Sequence, residues 1–296
     1  MRLQIKAACI TRRERCRRSQ KQLEKQVASA SNRFYHALRD QLGSIRRIYV
    51  RGNRLQRRYD FAASEEPVLL LHGFFQTRNV WEIMEERLRY DGFGVFSFDL
   101  GGLFSRFNTE RPSELGKHIA EKIDRICTRT GLESFHIIGH SKGGLVAREY
   151  IQNHGGAGRV RSLITLGTPH HGTPTAAIGA VLMGAGLLSR SPYELLPNSS
   201  FVQGLRKSPF PTTIPLVSVY SRHDLVCPWW SATLVPRPEE SSVRNHMVRG
   251  VGHTALTYDP GVYRIVRTEL RDAAQRFRER RQREQNERKE EQEAIG

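Results

Sequence analysis

The stretch Phe135-His136-Ile137-Ile138-Gly139-His140-Ser141-Lys142-Gly143-Gly144-Leu145 joins a short apolar run to a helix-like segment, Leu145 to Ile151, through a serine flanked by glycines. A G-x-S-x-G in that context predicts a nucleophile elbow. The serine sits on a tight strand-to-helix turn, small neighbours let the backbones approach, and the turn lifts the hydroxyl above the sheet. Ser141 is therefore the candidate nucleophile.

Working outward, short apolar runs alternate with helical segments from Val68 to His253. The runs are Val68 to Leu71, Val95 to Phe98, Phe135 to Ile138, Val160 to Leu166, Pro215 to Tyr220 and His246 to Val251. Helices are expected to start near Trp81, Ser113 and Lys142, the second carrying Leu115, Ile119, Ile123 and Ile126 at helical spacing. Continuous apolar strands alternating with helices read as an α/β fold, a mostly parallel sheet covered on both faces. The rhythm breaks between Gly172 and Pro211, which is small and apolar from Ala176 to Leu188 and then punctuated by Pro192, Pro197, Pro209 and Pro211. An insertion above the carboxyl ends of the strands is expected there, the edge at which open α/β sheets bind ligands.

A serine at its ordinary pKa is a weak nucleophile and needs a base, and the base needs an acid to fix its tautomer. Downstream of Ser141, two expected strands lead into Asp224 and into His253, so both groups should leave the same sheet edge as the serine. Chain order Ser, Asp, His suits this arrangement. The competing histidines are less well placed. His246 lies within or before a strand, His223 abuts the acid, His170 and His171 follow another strand, and His72 ends a strand upstream of the serine, where a structural role is expected. Asp259 comes after the histidine and Asp99 before the serine. Negative charge developing on the attacked carbonyl calls for two backbone N–H donors. Lys142, next to the nucleophile at a helix start, and Phe74, after the strand-ending His72-Gly73, are the candidates.

Of the formal +17 charge on 296 residues, residues 1–60 carry +13, with 17 basic and 4 acidic groups, and the rest is close to neutral. Residues 1–60 read as a basic, helical arm, 61–270 as the catalytic domain with its insertion at 172–211, and 271–296 as a charged helix or tail. The arm suits an anionic membrane surface, where each cation contributes about 1 kcal/mol, or it is a solvated tail; nucleic acid is not expected. No leader of the secretory kind stands near the start, and Ala176 to Leu188 is too short to cross a bilayer. The expected location is cytoplasmic, with the arm available for peripheral attachment. Cys9, Cys16, Cys127 and Cys227 show neither zinc spacing nor disulfide density and read as ordinary thiols.

Taken together, His72-Gly73-Phe74, Gly139 to Gly144, Thr165-Leu166-Gly167-Thr168-Pro169-His170-His171-Gly172, Asp224-Leu225-Val226 and Gly252-His253 resemble bacterial triacylglycerol lipases and related esterases of the α/β-hydrolase type. The likeness spans about Pro67 to Tyr258 and leaves the charged extensions unmatched. It implies carboxylic ester hydrolysis through an acyl-serine, no cofactor, and an apolar lid, for which Ala176 to Leu205 fits. Phe75, Leu182, Leu187 and Leu188 are the residues expected to meet an acyl chain. Some secreted relatives bind calcium near the histidine; with no carboxylate cluster here, no metal is expected. The basic arm and the missing export signal depart from the secreted members and argue against bulk extracellular fat. An acyltransferase or thioesterase would use the same triad, and a non-catalytic, membrane-associated lipid-binding module would keep only the fold.

Overall fold

The computed structural model describes residues 60–97, 99–101, 108–182, 185, 187, 189–238 and 242–295. Six strands form one sheet: β1 (Pro67–Leu71), β2 (Gly94–Ser97), β3 (Phe135–His140), β4 (Val160–Leu166), β5 (Leu216–Ser221) and β6 (Val243–Val248). They lie in the order β2-β1-β3-β4-β5-β6, and every neighbouring pair is parallel. Parallel strands require crossovers, and the chain supplies helices α1 (Glu82–Tyr90), α2 (Pro112–Thr130) and α3 (Lys142–Asn153) before β4. The insertion holds α4 (Ala176–Leu182), α5 (Ser191–Glu194) and α6 (Ser200–Lys207). Helix α7 (Trp229–Ala232) follows β5, and α8 (Pro260–Ile295) closes the chain.

Side chains alternate across the pleat, and here both sides are covered. Leu69, Leu71, Phe135, Ile137, Leu163 and Leu216 pack one way, against Leu115, Ile119 and Ile123 of α2 and Val146 and Tyr150 of α3. Val68, Leu70, Ile138, Ile164 and Val217 pack the other way, against Met84 and Leu88 of α1 and Val262, Val266 and Leu270 of α8. Burial on both faces explains why the central strands are apolar throughout rather than alternating.

Strand β6 sits three residues earlier than the expected run from His246. Val243, Arg244, His246 and Val248 are half-buried and Asn245 and Met247 exposed, and among the described residues the strand pairs with β5 on one side only. Residues 249–251 instead form a turn, with Gly250 at φ 76°. The second strand ends at Ser97, and Phe98 lies outside the described residues. So does the expected arm, up to residue 59. The expected division between 270 and 271 matches no element boundary: α8 runs through it and buries Ala273 and Ala274 beyond.

Farther along α8, Phe277 lies beneath the Arg161 guanidinium, 4.5 Å from its ring centre, and Arg278 pairs with Glu66. Glu66 also holds Arg161 at 3.0 Å and His136 Nε2 at 3.1 Å. His136 is wholly buried, with Nδ1 2.7 Å from Ser162 Oγ. No helix among the described residues is long and apolar enough to cross a membrane.

Two measurements test these contacts. Leu270→Ala should cost about 2–5 kcal/mol of stability by denaturant unfolding, whereas Glu287→Ala on the exposed end of α8 should stay within about 0.5 kcal/mol. Buried imidazoles set a pH dependence. Burial depresses His136 and His170, and depresses His72 from 6.5 to about 4. These groups stay neutral in the folded state while the unfolded chain takes up protons below 6.5, so stability is full above that pH and falls as pH drops from 6.5 toward 4. Thermal melts should show the decline beginning above the carboxylate range, and a flat profile from about pH 7 to 5 would contradict it.

Candidate active site

Three strand ends build the site. At the end of β3 the backbone turns at Ser141 with φ 53° and ψ −125°, a left-handed conformation for a non-glycine residue. Such strain costs on the order of 1–3 kcal/mol and persists only where the surroundings enforce it. Here they do. The Ser141 N–H donates to Leu166 O of β4 at 2.9 Å, and its carbonyl accepts from Thr168 Oγ1 at 2.9 Å and from the Gly144 N–H at 3.1 Å. A Cβ on Gly143 would lie 2.3 Å from Leu71 O, so only glycine lets α3 start this close to β1. The serine remains half-buried rather than sealed.

Asp224 follows β5 and His253 follows β6, and the two meet: His253 Nδ1 donates to Asp224 Oδ2 at 2.6 Å, both residues being buried. The other carboxylate oxygen accepts the Val226 and Cys227 amides, each at 2.8 Å, so Asp224 is fixed before it fixes the imidazole. With Nδ1 committed, Nε2 is the nitrogen left for chemistry, and it has no partner among the described residues. Gly167, at φ 56°, lies under the pair; a Cβ there would come within 3.1 Å of Asp224 Oδ2 and 3.2 Å of His253 Nδ1.

His140, immediately before Ser141, ties the elbow to this pair. Its Nε2–H donates to His253 O at 3.1 Å, its ring lies 4.6 Å from the His253 ring, and its Nδ1 is 3.0 Å from Gln76 Oε1. Gln76 Oε1 also accepts the Gly73 N–H at 2.9 Å, which anchors the loop after β1. The amide of Phe75 is spent on Asn108 O at 3.2 Å, whereas among the described residues the amides of Phe74 and Lys142 have no acceptor. Phe75 itself is held at φ 53° and is only half-buried.

The remaining histidines have structural engagements. His72 Nε2 accepts the Leu100 N–H at 3.1 Å, His223 Nδ1 accepts the Gly250 N–H at 2.9 Å, and His171 donates to Thr233 O at 2.9 Å. His170 sits 3.0 Å from Thr165 Oγ1, and His246 pairs with Glu269 at 2.7 Å. Asp99 accepts the Arg78 amide, and Asp259 accepts the Gly261 and Val262 amides at the start of α8.

Above the site, the insertion packs Ala176, Leu195 and Leu205 on Leu145 of α3. Ser189 Oγ donates to Thr109 O at 2.5 Å, and Glu194 accepts from the Ser113 N–H at 3.1 Å and Oγ at 2.8 Å. Of the residues expected to meet an acyl chain, Leu182 ends α4 and Leu188 lies outside the described residues. Leu187 is exposed and lines a cavity of about 630 Å³ with Arg111, Tyr193 and Glu194, a set that includes none of Ser141, Asp224 and His253. Sequence reasoning gave no part to the side chains of Gln76, Asn108 and Lys142 and read His140 only as a motif position. No local pattern marks them, since each acquires its partner across the fold.

The profile of the alpha/beta hydrolase fold family matches residues 66–199. Triacylglycerol lipases of Pseudarthrobacter phenanthrenivorans and Burkholderia plantarii are each 30% identical over 122 residues, 39% of this chain and 37% and 33% of their own lengths. The match thus spans only about a third of those relatives. A fusion of palmitoyl-protein thioesterase with dolichyl pyrophosphate phosphatase from Schizosaccharomyces pombe is 32% identical over 124 residues, 39% of this chain and 19% of that protein. Among solved structures, the mature Bacillus licheniformis lipase aligns with a TM-score of 0.55 at 17% identity, covering 69% of this chain and 91% of that one. With a six-stranded parallel sheet clad in helices, a matching family profile and these structural neighbours, the chain has the α/β-hydrolase fold and resembles bacterial triacylglycerol lipases and esterases.

Proposed function

We propose that this protein is a carboxylic ester hydrolase that works through an acyl-serine intermediate, with Ser141 as nucleophile, His253 as base and Asp224 as the acid behind it. One observation carries the reading: the Asp224–His253 pair, at 2.6 Å with its outer nitrogen free, leaves the same sheet edge as the strained Ser141 elbow, and His140 bridges the two. The likeness to lipases supports ester and lipid substrates.

In the first half-reaction the Ser141 hydroxyl gives its proton to His253 Nε2 as its oxygen bonds to the ester carbonyl carbon. The carbonyl oxygen takes the electron pair and rests against the Phe74 and Lys142 amides. Collapse of this intermediate breaks the bond to the alcohol, which leaves with the proton from His253. Water then repeats the sequence on the acyl-serine and releases the carboxylic acid and free enzyme. Asp224 holds the imidazole in the right tautomer and stabilises its cation throughout. Segment 172–211 serves as the lid: a Cβ built on Gly179 of α4 would come within 3.9 Å of Phe74 Cε1, so α4 lies beside the donor loop.

A second reading, thioester hydrolysis at the same site, is favoured by the likeness to the thioesterase fusion protein. Nitrophenyl esters and acyl thioesters of matched, increasing chain length separate the two by kcat/KM. Ester hydrolysis should dominate and prefer chains beyond acetyl. Ser141→Ala should remove kcat by a factor on the order of 10⁴ or more without changing the fold by circular dichroism, and Asp224→Asn by on the order of 10⁴. Turnover that survives Ser141→Ala would overturn the assignment.

A further inference from the structure

Lys142 supplies more than an amide. Its side chain is fully buried, and among the described residues it makes no ion pair. Its amine instead donates to two backbone carbonyls, Asn108 O at 3.2 Å and Glu110 O, and lies 5.6 Å from the centre of the Phe74 ring. Burial pushes the Lys142 amine well below the usual lysine range, the Glu110 and Glu194 carboxylates opposing that shift, and a buried amine in either protonation state must be held by hydrogen bonds. The bonds here all reach one short segment.

That segment is the floor of the loop after β1. Asn108 O also accepts the Phe75 N–H at 3.2 Å, the Asn108 N–H donates to Gln76 O at 3.4 Å, and Nδ2 donates to His72 O at 3.0 Å. Three bonds from one buried residue thus brace residues 72–76, including Phe75 in its left-handed conformation, and Lys142 braces that residue in turn. We propose that the Lys142 side chain is the positioning group of the oxyanion site, locking segment 108–110, and through it the Phe74 turn, to the residue whose own amide is the second donor.

This inference rests on the acyl-serine reading above. Its logic is geometric. Two amides must sit 2.7–3.1 Å from an oxygen that bears charge only in the transition state, so small displacements of one donor relative to the other cost rate rather than substrate affinity. A side chain spanning from one donor's residue to the other donor's loop fixes their separation.

Lys142→Met keeps the length and removes the donors, and Lys142→Gln keeps two N–H donors without the charge. With the nitrophenyl ester that serves the parent protein best, kcat should fall by on the order of 10–100-fold in Lys142→Met, with KM within about twofold of the parent. The melting temperature should fall only modestly, since the apolar chain fills the same space while the Asn108 and Glu110 carbonyls each lose one donor. Lys142→Gln should recover part of kcat. A trifluoromethyl ketone, which forms a tetrahedral adduct on Ser141, should lose affinity in parallel with kcat. If Ser141→Ala is inactive but Lys142→Met keeps kcat within about threefold of the parent, the positioning role is wrong and the nucleophile assignment stands. Activity lost only in step with thermal stability in both variants would also overturn it, assigning Lys142 to packing. Parent activity indifferent to Ser141→Ala would remove the reading and the inference together.

Discussion

At Ser141 the chain reverses from strand to helix within one residue, in a conformation that no side chain adopts without compensation, and most of the surrounding architecture supplies that compensation. The neighbouring strand gives the elbow a carbonyl for its amide, Thr168 gives its carbonyl a hydroxyl, and Gly143 brings α3 down onto the end of β1. Remove the close approach and the helix start moves away from the sheet, taking with it the Lys142 amide. A parallel sheet is well suited to hold such a turn, because its centre is buried on both faces and cannot relax toward solvent.

Polar groups buried around this turn are almost all satisfied by one another. His72, Gln76, Asn108, His140 and Lys142 are each at most a few per cent exposed, and each has a partner distant in sequence. In a low-dielectric interior such a network is stiff, since breaking one bond leaves an unpaired group that water cannot reach. Stiffness is what a site needs if it is to bind charge that appears only during reaction. The Asp224 carboxylate follows the same principle, spending one oxygen on two amides so that the other addresses His253 without freedom to swing.

The insertion and the last helix bind to this core by different means. The insertion uses a small apolar cluster on Leu145, hydrogen bonds from Ser189 and Glu194 to the segment leading into α2, and the Leu205 carbonyl held by Arg148 and Gln152 of α3. Helix α8 buries Val262, Val266, Leu270, Ala273 and Ala274 on the sheet and then continues as a polar helix held by arginines to Glu66, Glu133 and Thr213.

Much of this was written in short-range pattern. Apolar runs of four to seven residues reported the buried strands, the glycines beside Ser141 reported the elbow, and the order of Ser141, Asp224 and His253 along the chain indicated which groups share a sheet edge. Those features are legible because burial on two faces and tight turns constrain residue type locally. The same pattern places strand β6 three residues too late, since its partly exposed residues 243–245 include the polar Arg244 and Asn245 and show no apolar run. The packing of α8 past residue 270 was less legible, because small alanines and a single Phe277 carry its contacts amid charge. Tertiary structure alone decided that His140 would touch His253, 113 residues away, and that the Lys142 amine would reach back 34 residues to Asn108. Side chains such as these fill the variable positions of the motif, and what they do depends on which carbonyls the closed fold places within 3 Å or so of them.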